Sequence, residues 1–407
     1  TVSGDATTTL EMHVPIRDAK NFTFTTEVQT NDASVQIEGF PAPLTQLAGV
    51  VIIGRETVNS EDLGGMFLGQ PVAIKLEPAP EDMPDFRVIA NATGAATIDA
   101  VEAELGLPVS SRASGATGWS ARLLFPRGKD ETDEQFTIEI DTDLTGVGID
   151  LPAPLGKAHD EAMPVSANIT MTRGGERIES RGKAENIAAW HISFTRDEAW
   201  DLDRGVAVFG AEDVGDVVAD TRGLHLRGKT DYVYAQDWLD LARDSEAQFG
   251  IGERVRSIDM SVGNLHVIGQ HLVDHRFKMD RSATEWHVEL EGDRVQGSIV
   301  VPYDFNSGQP ISVEAERLLL PGDETDSDRP KVRVDPRNLP PISIRAQAMA
   351  LGNRNFGNVE AVFERTADGL VAEGIVARDE TFEIVGNGGW VIDESDPEGS
   401  RSSVMAT

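Results

Sequence analysis

The chain has 407 residues, of which 40% are hydrophobic, so it can bury a large core and is not a disordered protein. It contains no cysteine, which excludes disulfides, cysteine nucleophiles and thiolate metal sites. Asp and Glu number 69 against 36 Lys and Arg, and the formal net charge of -33 repels phosphate backbones and anionic lipid headgroups. We therefore expect no nucleic-acid partner and interpret the charge as a solvated surface.

The N-terminal segment shows no targeting signal. The sequence begins at Thr1, without a positively charged leader or an apolar run of about 18 residues that could span a bilayer. We expect an excerpt of a longer protein, with any membrane anchor outside it.

Apolar and polar residues alternate along most of the chain, as in strands with one buried and one wet face. Gly, Pro, Asp and Asn turns between these segments favour antiparallel hairpins. Only two short helices are predicted, over 96–106 and 235–250, so the fold class is all-β, arranged as sandwiches, a barrel or one long open sheet. The alternating segments are 21–30, 34–40, 49–54, 71–77, 119–126, 135–144, 166–173, 223–229, 264–270, 285–292, 297–302, 341–349 and 358–365.

A loose repeat favours stacked β modules over one closed domain. "LHLRG" at 224–228 is echoed by "LHVIG" at 265–269. Four tryptophans also stand at the heads of alternating strands: Trp119, Trp190, Trp286 and Trp390. The predicted organisation is a repeated β region over 1–322, a linker over 323–330, a C-terminal β segment over 331–393 and a disordered tail over 394–407.

No motif for covalent chemistry or metal binding is convincing. His266, His271 and His275 lie in a strand-turn-strand pattern, so we interpret them as surface histidines and not as a metal site. "DTDLTG" at 141–146 begins like a calcium loop, but Pro152 stands where that loop requires a glutamate. We predict no catalytic residue, no metal and no cofactor.

The segment "LTGVGIDLPAPLGK" at 144–157 resembles the signature of the YhdP proteins, the long AsmA-like proteins of Gram-negative envelopes. The similarity continues through 223–241, 255–302 and 334–364, and 47–77 resembles the repeated AsmA-like unit. The resemblance implies a bridge anchored in the inner membrane by an N-terminal helix and crossing the periplasm. Its strands would form an elongated, curved antiparallel sheet with an open apolar groove that conducts phospholipids toward the outer membrane.

A lipid path needs a continuous apolar lining, because exposing acyl chains to water costs roughly 0.8 kcal/mol per methylene. Alternating strands would supply that lining, and phospholipid acyl chains and the two membranes would be the partners, with envelope protein partners left open. In this hypothesis the Pro152–Pro154 turn is architectural. The candidate groove residues are Phe136, Ile138, Ile140, Leu224, Leu226, Leu265, Val267, Trp286, Val288, Leu290, Val359, Ala361 and Phe363.

Two other functions stay open. In a structural or scaffolding envelope protein, the same faces would close into a dry core. In a carbohydrate-active β enzyme, two of the 69 acidic side chains would flank a cleft, although 6% aromatic residues with only 3 Tyr is lean for sugar stacking.

Overall fold

The computed structural model describes residues 1–17, 22–37, 40, 42–55, 57–105, 112–127, 134–172, 176–196, 200–215, 219–243, 254–267, 270–321, 335–392 and 401–406. Strand occupies 69% of the chain and helix 5%, which confirms the all-β prediction. Contacts divide the chain into two compact units. Unit 1 contains residues 1–151, 155–224 and 245–250, and unit 2 contains 152–154, 225–244 and 251–407.

Unit 1 is an antiparallel meander in which each strand from β2 to β9 pairs with the next along the chain. The order then continues β9–β11–β12–β13–β14, while β1 pairs with β3 and β10 with β8. Its strands are β1 (Val2–Ser3), β2 (Ala6–His13), β3 (Thr23–Val35), β4 (Leu44–Gly54), β5 (Val58–Phe67), β6 (Gln70–Pro78), β7 (Phe86–Thr97), β8 (Ala113–Pro126), β9 (Glu134–Thr142), β10 (Val147–Ile149), β11 (Val165–Thr172), β12 (Arg177–Ala184), β13 (Ala188–Arg196) and β14 (Trp200–Phe209).

One helix interrupts the meander of unit 1. Helix α1 (Ile98–Leu105) follows β7, and the Thr97 hydroxyl accepts a hydrogen bond of 3.2 Å from the Ala100 N–H. This contact satisfies one of the N–H groups that the first helical turn leaves without a partner. The helix lies within the predicted segment 96–106.

Unit 2 is a second meander, with strands paired in the order β16 to β25. Its elements are β15 (Gly223–Tyr234, whose first two residues belong to unit 1), α2 (Ala235–Arg243), β16 (Val255–Val267), β17 (Gln270–Arg281), β18 (Glu285–Glu291), β19 (Val295–Pro302), β20 (Ile311–Leu320), a 3-10 turn (Pro336–Asn338), β21 (Ile342–Leu351), β22 (Arg354–Arg365), β23 (Gly369–Asp379), β24 (Phe382–Val391) and β25 (Arg401–Ala406). Residues 244–250 of the predicted second helix lie outside the described residues.

One strand pair departs from the antiparallel pattern. Strands β20 and β21 are parallel, with Ile311 paired to Ile342 and Leu320 to Leu351. The connection between them has to return to the end of the sheet where β20 began, which takes many more residues than a hairpin. The predicted linker 323–330 falls in this connection and lies outside the described residues. Because the strands that flank it pair with each other, the division into units falls near residue 224 and not at the linker.

The C-terminal segment differs from its prediction. Residues 394–407 were expected to be a disordered tail because they are poor in apolar residues. Instead, Arg401–Ala406 form β25, which pairs antiparallel with β24 from Gly386↔Ala406 to Val391↔Arg401. The prediction fails there because the backbone groups at the edge of β24 bond to any extended chain, whatever its side chains. Residues 393–400 and 407 lie outside the described residues.

Candidate functional site

The strand register of unit 1 aligns apolar side chains in rows, because directly paired residues share one face of a sheet. We call the face formed by three such rows the unit 1 face. The first row crosses nine strands: Leu63, Ile74, Ala92, Ala121, Ile140, Ala167, Gly182, Trp190 and Ala207. The second crosses eight: Leu76, Ala90, Leu123, Ile138, Ile169, Ser180, Ile192 and Gly205. The third contains Phe136, Met171, Ile178, Phe194 and Leu202.

Aromatic rings fill part of the unit 1 face. Phe136 is only 2% exposed, and its ring centroid lies 6.0 Å from that of Phe40 and 6.3 Å from that of Phe125. Phe40 also contacts Phe67 at 5.6 Å, and Phe67 meets Trp119 edge-on at 5.8 Å. These five side chains form the ring cluster, which closes this part of the face with the chain's own side chains.

Phe40 is the member of the ring cluster whose position is predicted wrongly from the alternating sequence pattern. The segment 34–40 was predicted as a strand, but β3 ends at Val35 and Phe40 lies in the connection to β4. The Gln36 side-chain amide donates to the Phe40 carbonyl at 2.7 Å and to the Ile37 carbonyl at 3.1 Å. These bonds hold the connection, so that Phe40 and Ile37 pack against the buried cluster around Phe136.

The opposite side of unit 1 is mainly polar. The Arg122 guanidinium pairs with Glu139 at 2.8 Å, and the Asn91 amide donates to Glu77 at 3.0 Å. Thr137 is 9% exposed on this side, where it pairs with the buried Leu124. Apolar and polar residues therefore do alternate around Ile138, but the side of the sheet that faces away from the rows is not uniformly exposed to solvent.

Unit 2 carries a second set of apolar rows, which we call the unit 2 face. Its central row crosses eight strands: Ile258, Met279, Val288, Ile299, Val313, Ile344, Ala361 and Ile375. The adjacent row crosses nine: Met260, Phe277, Leu290, Gly297, Ala315, Ala346, Val359, Ala377 and Ile384. Eight strands spaced about 4.8 Å apart give the central row a length of roughly 34 Å.

The unit 2 face is less filled than the unit 1 face. Val288 and Leu290 are half-buried, whereas Val359 and Ala361 are buried at 6% and 5% exposure. In the described part of unit 2, extensive contacts join hydrogen-bonded neighbouring strands, α2 with β16, and the 3-10 turn with β23 and β24. Half-buried Val288 and Leu290 therefore belong to the more accessible part of this face.

Charged residues occupy the other side of unit 2. The residues between the apolar ones align as Asp259, Lys278, Glu289, Ser298, Glu314, Arg345 and Glu360. Arg276 donates two hydrogen bonds of 2.7 Å to Asp259, which hold the pKa of that carboxyl below its usual value. Arg345 pairs with Glu314 at 3.4 Å. This side is a solvent-exposed surface on which ion pairs join neighbouring strands.

Buried and exposed residues do not simply alternate along strands β15 to β17. The remaining candidate groove residues lie on the first two of these strands. Leu224 and Leu226 are half-buried on β15, whereas Leu265 is buried and pairs with the buried Leu272. Val267, half-buried, pairs with Gln270.

The burial pattern on β16 and β17 shifts by one residue. Val262 and Leu265 are both buried although three positions apart, and so are Leu272 and His275. Asp274 lies between the latter two with φ of 55°, a left-handed conformation that interrupts the pleat. Leu265 therefore cannot be assigned to the rows by counting alternate residues along β16 from Met260.

His275 corrects the prediction of surface histidines. Its side chain is 2% exposed, with Nδ1 2.9 Å from the Val273 carbonyl, and Nε2 accepts a hydrogen bond of 3.3 Å from the Val295 N–H. His266 and His271 instead stack in parallel, with centroids 4.5 Å apart. Within the described ranges, no three His, Asp or Glu side chains are grouped so that they could hold a metal ion.

The segment 144–157 is held by a buried lysine. The Lys157 ammonium donates to the carbonyls of Leu144 and Ala158, each at 3.0 Å, and to that of Val147. Strand β10 in this segment pairs with β8, and Gly146 adopts φ of 93°, which an L side chain rarely does. These contacts make the segment a fixed structural turn.

A family model described as "YhdP protein" matches residues 1–405. The chain belongs to the YhdP family. The YhdP match spans both units, and it contains the 144–157 turn and every apolar row. A search of the curated proteins and a search of the solved structures each found no match. None of the helices in the described ranges has the length and apolar character needed to cross a membrane.

Proposed function

We propose that this chain binds phospholipid acyl chains on its apolar faces and passes them along, as a segment of a periplasmic bridge between inner and outer membranes. The observation that carries the proposal is the register of unit 2, in which apolar residues from eight successive strands align on one face and charged residues on the other. Membership of the YhdP family, an AsmA-like lipid-transport family, supports the same function.

The proposed activity needs no covalent step. The YhdP family is not a family of enzymes. Each methylene moved from water to an apolar surface gains roughly 0.8 kcal/mol, so the Val and Ile side chains of the central row would hold an acyl chain without a specific pocket. Repeated weak contacts of this kind suit transfer, because a lipid has to leave each position as readily as it enters.

A structural role is the second candidate function, and the ring cluster of unit 1 favours it for that part of the chain. Phe136 and Ile138 are buried among side chains of the chain itself, at 2% and 7% exposure. In a scaffold, these residues would stabilise the sheet without binding lipid. The two functions differ in what they predict for the half-buried rows of unit 2.

A pair of valine substitutions separates the two functions. Val288 lies in the central row, whereas Val362 is 50% exposed on the other side, where it pairs with Ser343. After gentle extraction of the purified protein, mass spectrometry should find copurified phospholipid in the wild type and in Val362→Glu, and at least several-fold less in Val288→Glu. Circular dichroism confirms that both variants are folded. Equal lipid in the two variants, or none in the wild type, contradicts the proposal and favours the scaffold.

Photocrosslinking in cells tests the orientation of the face. A photoreactive residue at Val288 or Ile299 should give lipid adducts, whereas one at His287 or Glu289, on the other side of the same sheet, should not. These positions are better placed than Ile138 and Thr137, since both of those are buried. Adducts at equal frequency on both sides would defeat the assignment.

A further inference from the structure

We infer that one margin of the sheet in unit 1 docks on the surface of an anionic phospholipid bilayer. The margin consists of Arg55, Arg87 and Arg127 with the rings of Phe22 and Phe24, and we call it the arginine margin. Such a contact would hold the chain at a membrane, which adds to the proposed function a place where lipid could be exchanged. It does not involve the rows of unit 2, so it can fail while the proposed function stands.

Contacts join the residues of the arginine margin into one surface. Strands β3 and β7 begin at this margin, and β4 and β8 end there. The Arg55 guanidinium carbon lies 5.6 Å from the Phe22 ring centroid, and Phe22 stacks on Phe24 with centroids 6.3 Å apart. Arg87 Nη2 donates to the Arg55 carbonyl at 3.3 Å. Arg127 Nε donates at 3.3 Å to the backbone carbonyl that precedes Arg87.

The three arginines present N–H groups to solvent. Arg55, Arg87 and Arg127 are all exposed. Within the described ranges, none of the three has a carboxylate at ion-pair distance, whereas Arg122 of the same unit pairs with Glu139 at 2.8 Å. The bonds to backbone carbonyls use only part of each guanidinium, which carries several N–H donors. The remaining donors can bind an anion.

Exposed apolar side chains adjoin the arginines. Met12 is 57% exposed and pairs directly with Phe24, so it lies on the same side of the sheet as that ring. Val14 and Ile16 follow the end of β2 and are 49% and 100% exposed. Large apolar side chains gathered in water mark a surface that another apolar medium covers.

Cations beside exposed apolar side chains match the surface of an anionic bilayer. Lipid phosphates bind guanidinium groups, and apolar side chains enter the boundary between headgroups and acyl chains. Each arginine near such a surface raises the affinity roughly fivefold. The net charge of -33 opposes docking, but salt screens charges farther away than about 8 Å at physiological ionic strength. The local arginines therefore decide the sign of the interaction.

The connection between β6 and β7 brings acidic residues to the same end of the sheet. Glu81, Asp82 and Asp85 lie in it and are exposed. Their charges oppose an anionic surface, so neutralising one of them should strengthen docking. This gives the experiment a substitution whose effect has the opposite sign.

Vesicle binding tests the docking. Cosedimentation of the purified 407-residue chain would be measured with vesicles of phosphatidylcholine alone and with vesicles that contain about 30% phosphatidylglycerol. The wild type should bind the anionic vesicles at least about tenfold more tightly, and about 1 M salt should remove that preference. The triple substitution Arg55→Gln, Arg87→Gln and Arg127→Gln should weaken binding to the anionic vesicles about tenfold or more.

Single substitutions supply the matched controls. Arg55→Gln should weaken binding to the anionic vesicles about threefold to fivefold, whereas Arg345→Gln, which removes the same charge from unit 2, should not change it. Ile16→Ser should weaken binding about threefold, whereas Val362→Ser, at a 50% exposed position of unit 2, should not. Asp82→Asn should strengthen it. Circular dichroism confirms that each variant is folded.

Equal binding of the wild type to the two kinds of vesicle, or no binding to either, overturns the inference. So does an Arg55→Gln variant that binds as tightly as Arg345→Gln. A concentration-dependent dimer in sedimentation velocity that Ile16→Ser disrupts assigns the exposed side chains to a second copy of the chain and also overturns it. Phospholipid that copurifies with the wild type and is lost in Val288→Glu reports on the proposed function separately.

Discussion

The unit 1 face and the unit 2 face are built in the same way, but they differ in how far their side chains are buried. Each contains two rows that the strand register carries across eight or nine strands. In unit 1 the rows contain and adjoin large rings, and Phe40 folds onto them from a connection, so Phe136 is buried. In unit 2 the central row consists of Ile, Val and Ala with Met279, and Val288 is half-buried. An alternating pattern therefore specifies a continuous face, while side-chain size and the connections decide whether that face is a core or a surface.

Truncating one residue in each face gives the largest expected contrast. Phe136→Ala removes a ring from a closed cluster and should lower the free energy of unfolding by about 3–5 kcal/mol. Val288→Ala, at a half-buried position, should cost about 1 kcal/mol or less. Urea titration with far-ultraviolet circular dichroism measures both. If the two substitutions cost the same, the distinction between a filled and an accessible face is wrong.

The lysine of the 144–157 turn provides the next contrast, because unit 1 places a buried cation among carbonyls. Lys157→Met keeps the apolar stem but removes the hydrogen bonds to three carbonyls, of which those of Leu144 and Ala158 still accept from the Val147 and Glu161 N–H groups. We therefore expect a loss of about 1–3 kcal/mol in unfolding free energy. Lys183→Met is the control, since Lys183 pairs with Glu212 on the solvent-exposed surface. A loss at Lys157 no larger than at Lys183 would mean that the turn does not depend on the buried ammonium.

Tryptophan packing tests how tightly the unit 1 face is filled. The Trp190 indole lies over Gly182 on the paired strand, and its N–H donates to Ser180 at 3.0 Å. A Cβ at position 182 would lie 2.5 Å from both the indole and the Ser166 backbone carbonyl oxygen, so Gly182→Ala should destabilise the chain by about 1–2 kcal/mol. Gly118→Ala, with its nearest neighbour at 3.9 Å, should be neutral or slightly stabilising. Thermal unfolding of the two variants compares them, and a tolerated Gly182→Ala would show that both the indole and the Ser166 carbonyl move aside.

Sequence alone predicted what depends on local alternation and missed what depends on register. The strand around Ile138 and the helix α1 follow from the spacing of their apolar residues, and the sequence identified them. It could not show that Val288 and Ala361 belong to one row, because that requires knowing which strands pair and in which register.

Two other differences between the sequence-based predictions and the structure occur where the backbone leaves the regular pleat of a strand. At Asp274 a left-handed residue shifts the burial pattern, which buries His275 against the expectation of a surface side chain. At Phe40 the chain has already left β3, and the ring packs onto strands that are distant in sequence. Period-two reasoning assumes an uninterrupted strand, so it fails at such positions.

The ion pair between Asp259 and Arg276 should give a smaller effect than the three comparisons above, and it tests whether the charged side of unit 2 contributes to stability. Hydrogen bonds from Arg276 lower the pKa of Asp259 in the folded chain. A carboxyl with a depressed folded pKa stabilises the fold above its unfolded pKa, near 3.9, and loses that contribution as the pH falls through the folded value. Because the Asp259 side chain is 37% exposed, solvent screening should keep the contribution below about 1 kcal/mol.

Asp259→Asn should therefore lower the unfolding free energy slightly at pH 7 and make no difference once the pH lies below the lowered folded pKa of Asp259, where the wild-type carboxyl is protonated as well. Urea titrations of both proteins across this pH range give the difference curve, and 1 M salt should flatten it. Glu314→Gln, in the longer and more exposed pair with Arg345, should have a smaller effect still. A loss at pH 7 comparable to that of Phe136→Ala would mean that unit 2 depends on its charged side as strongly as unit 1 depends on its rings.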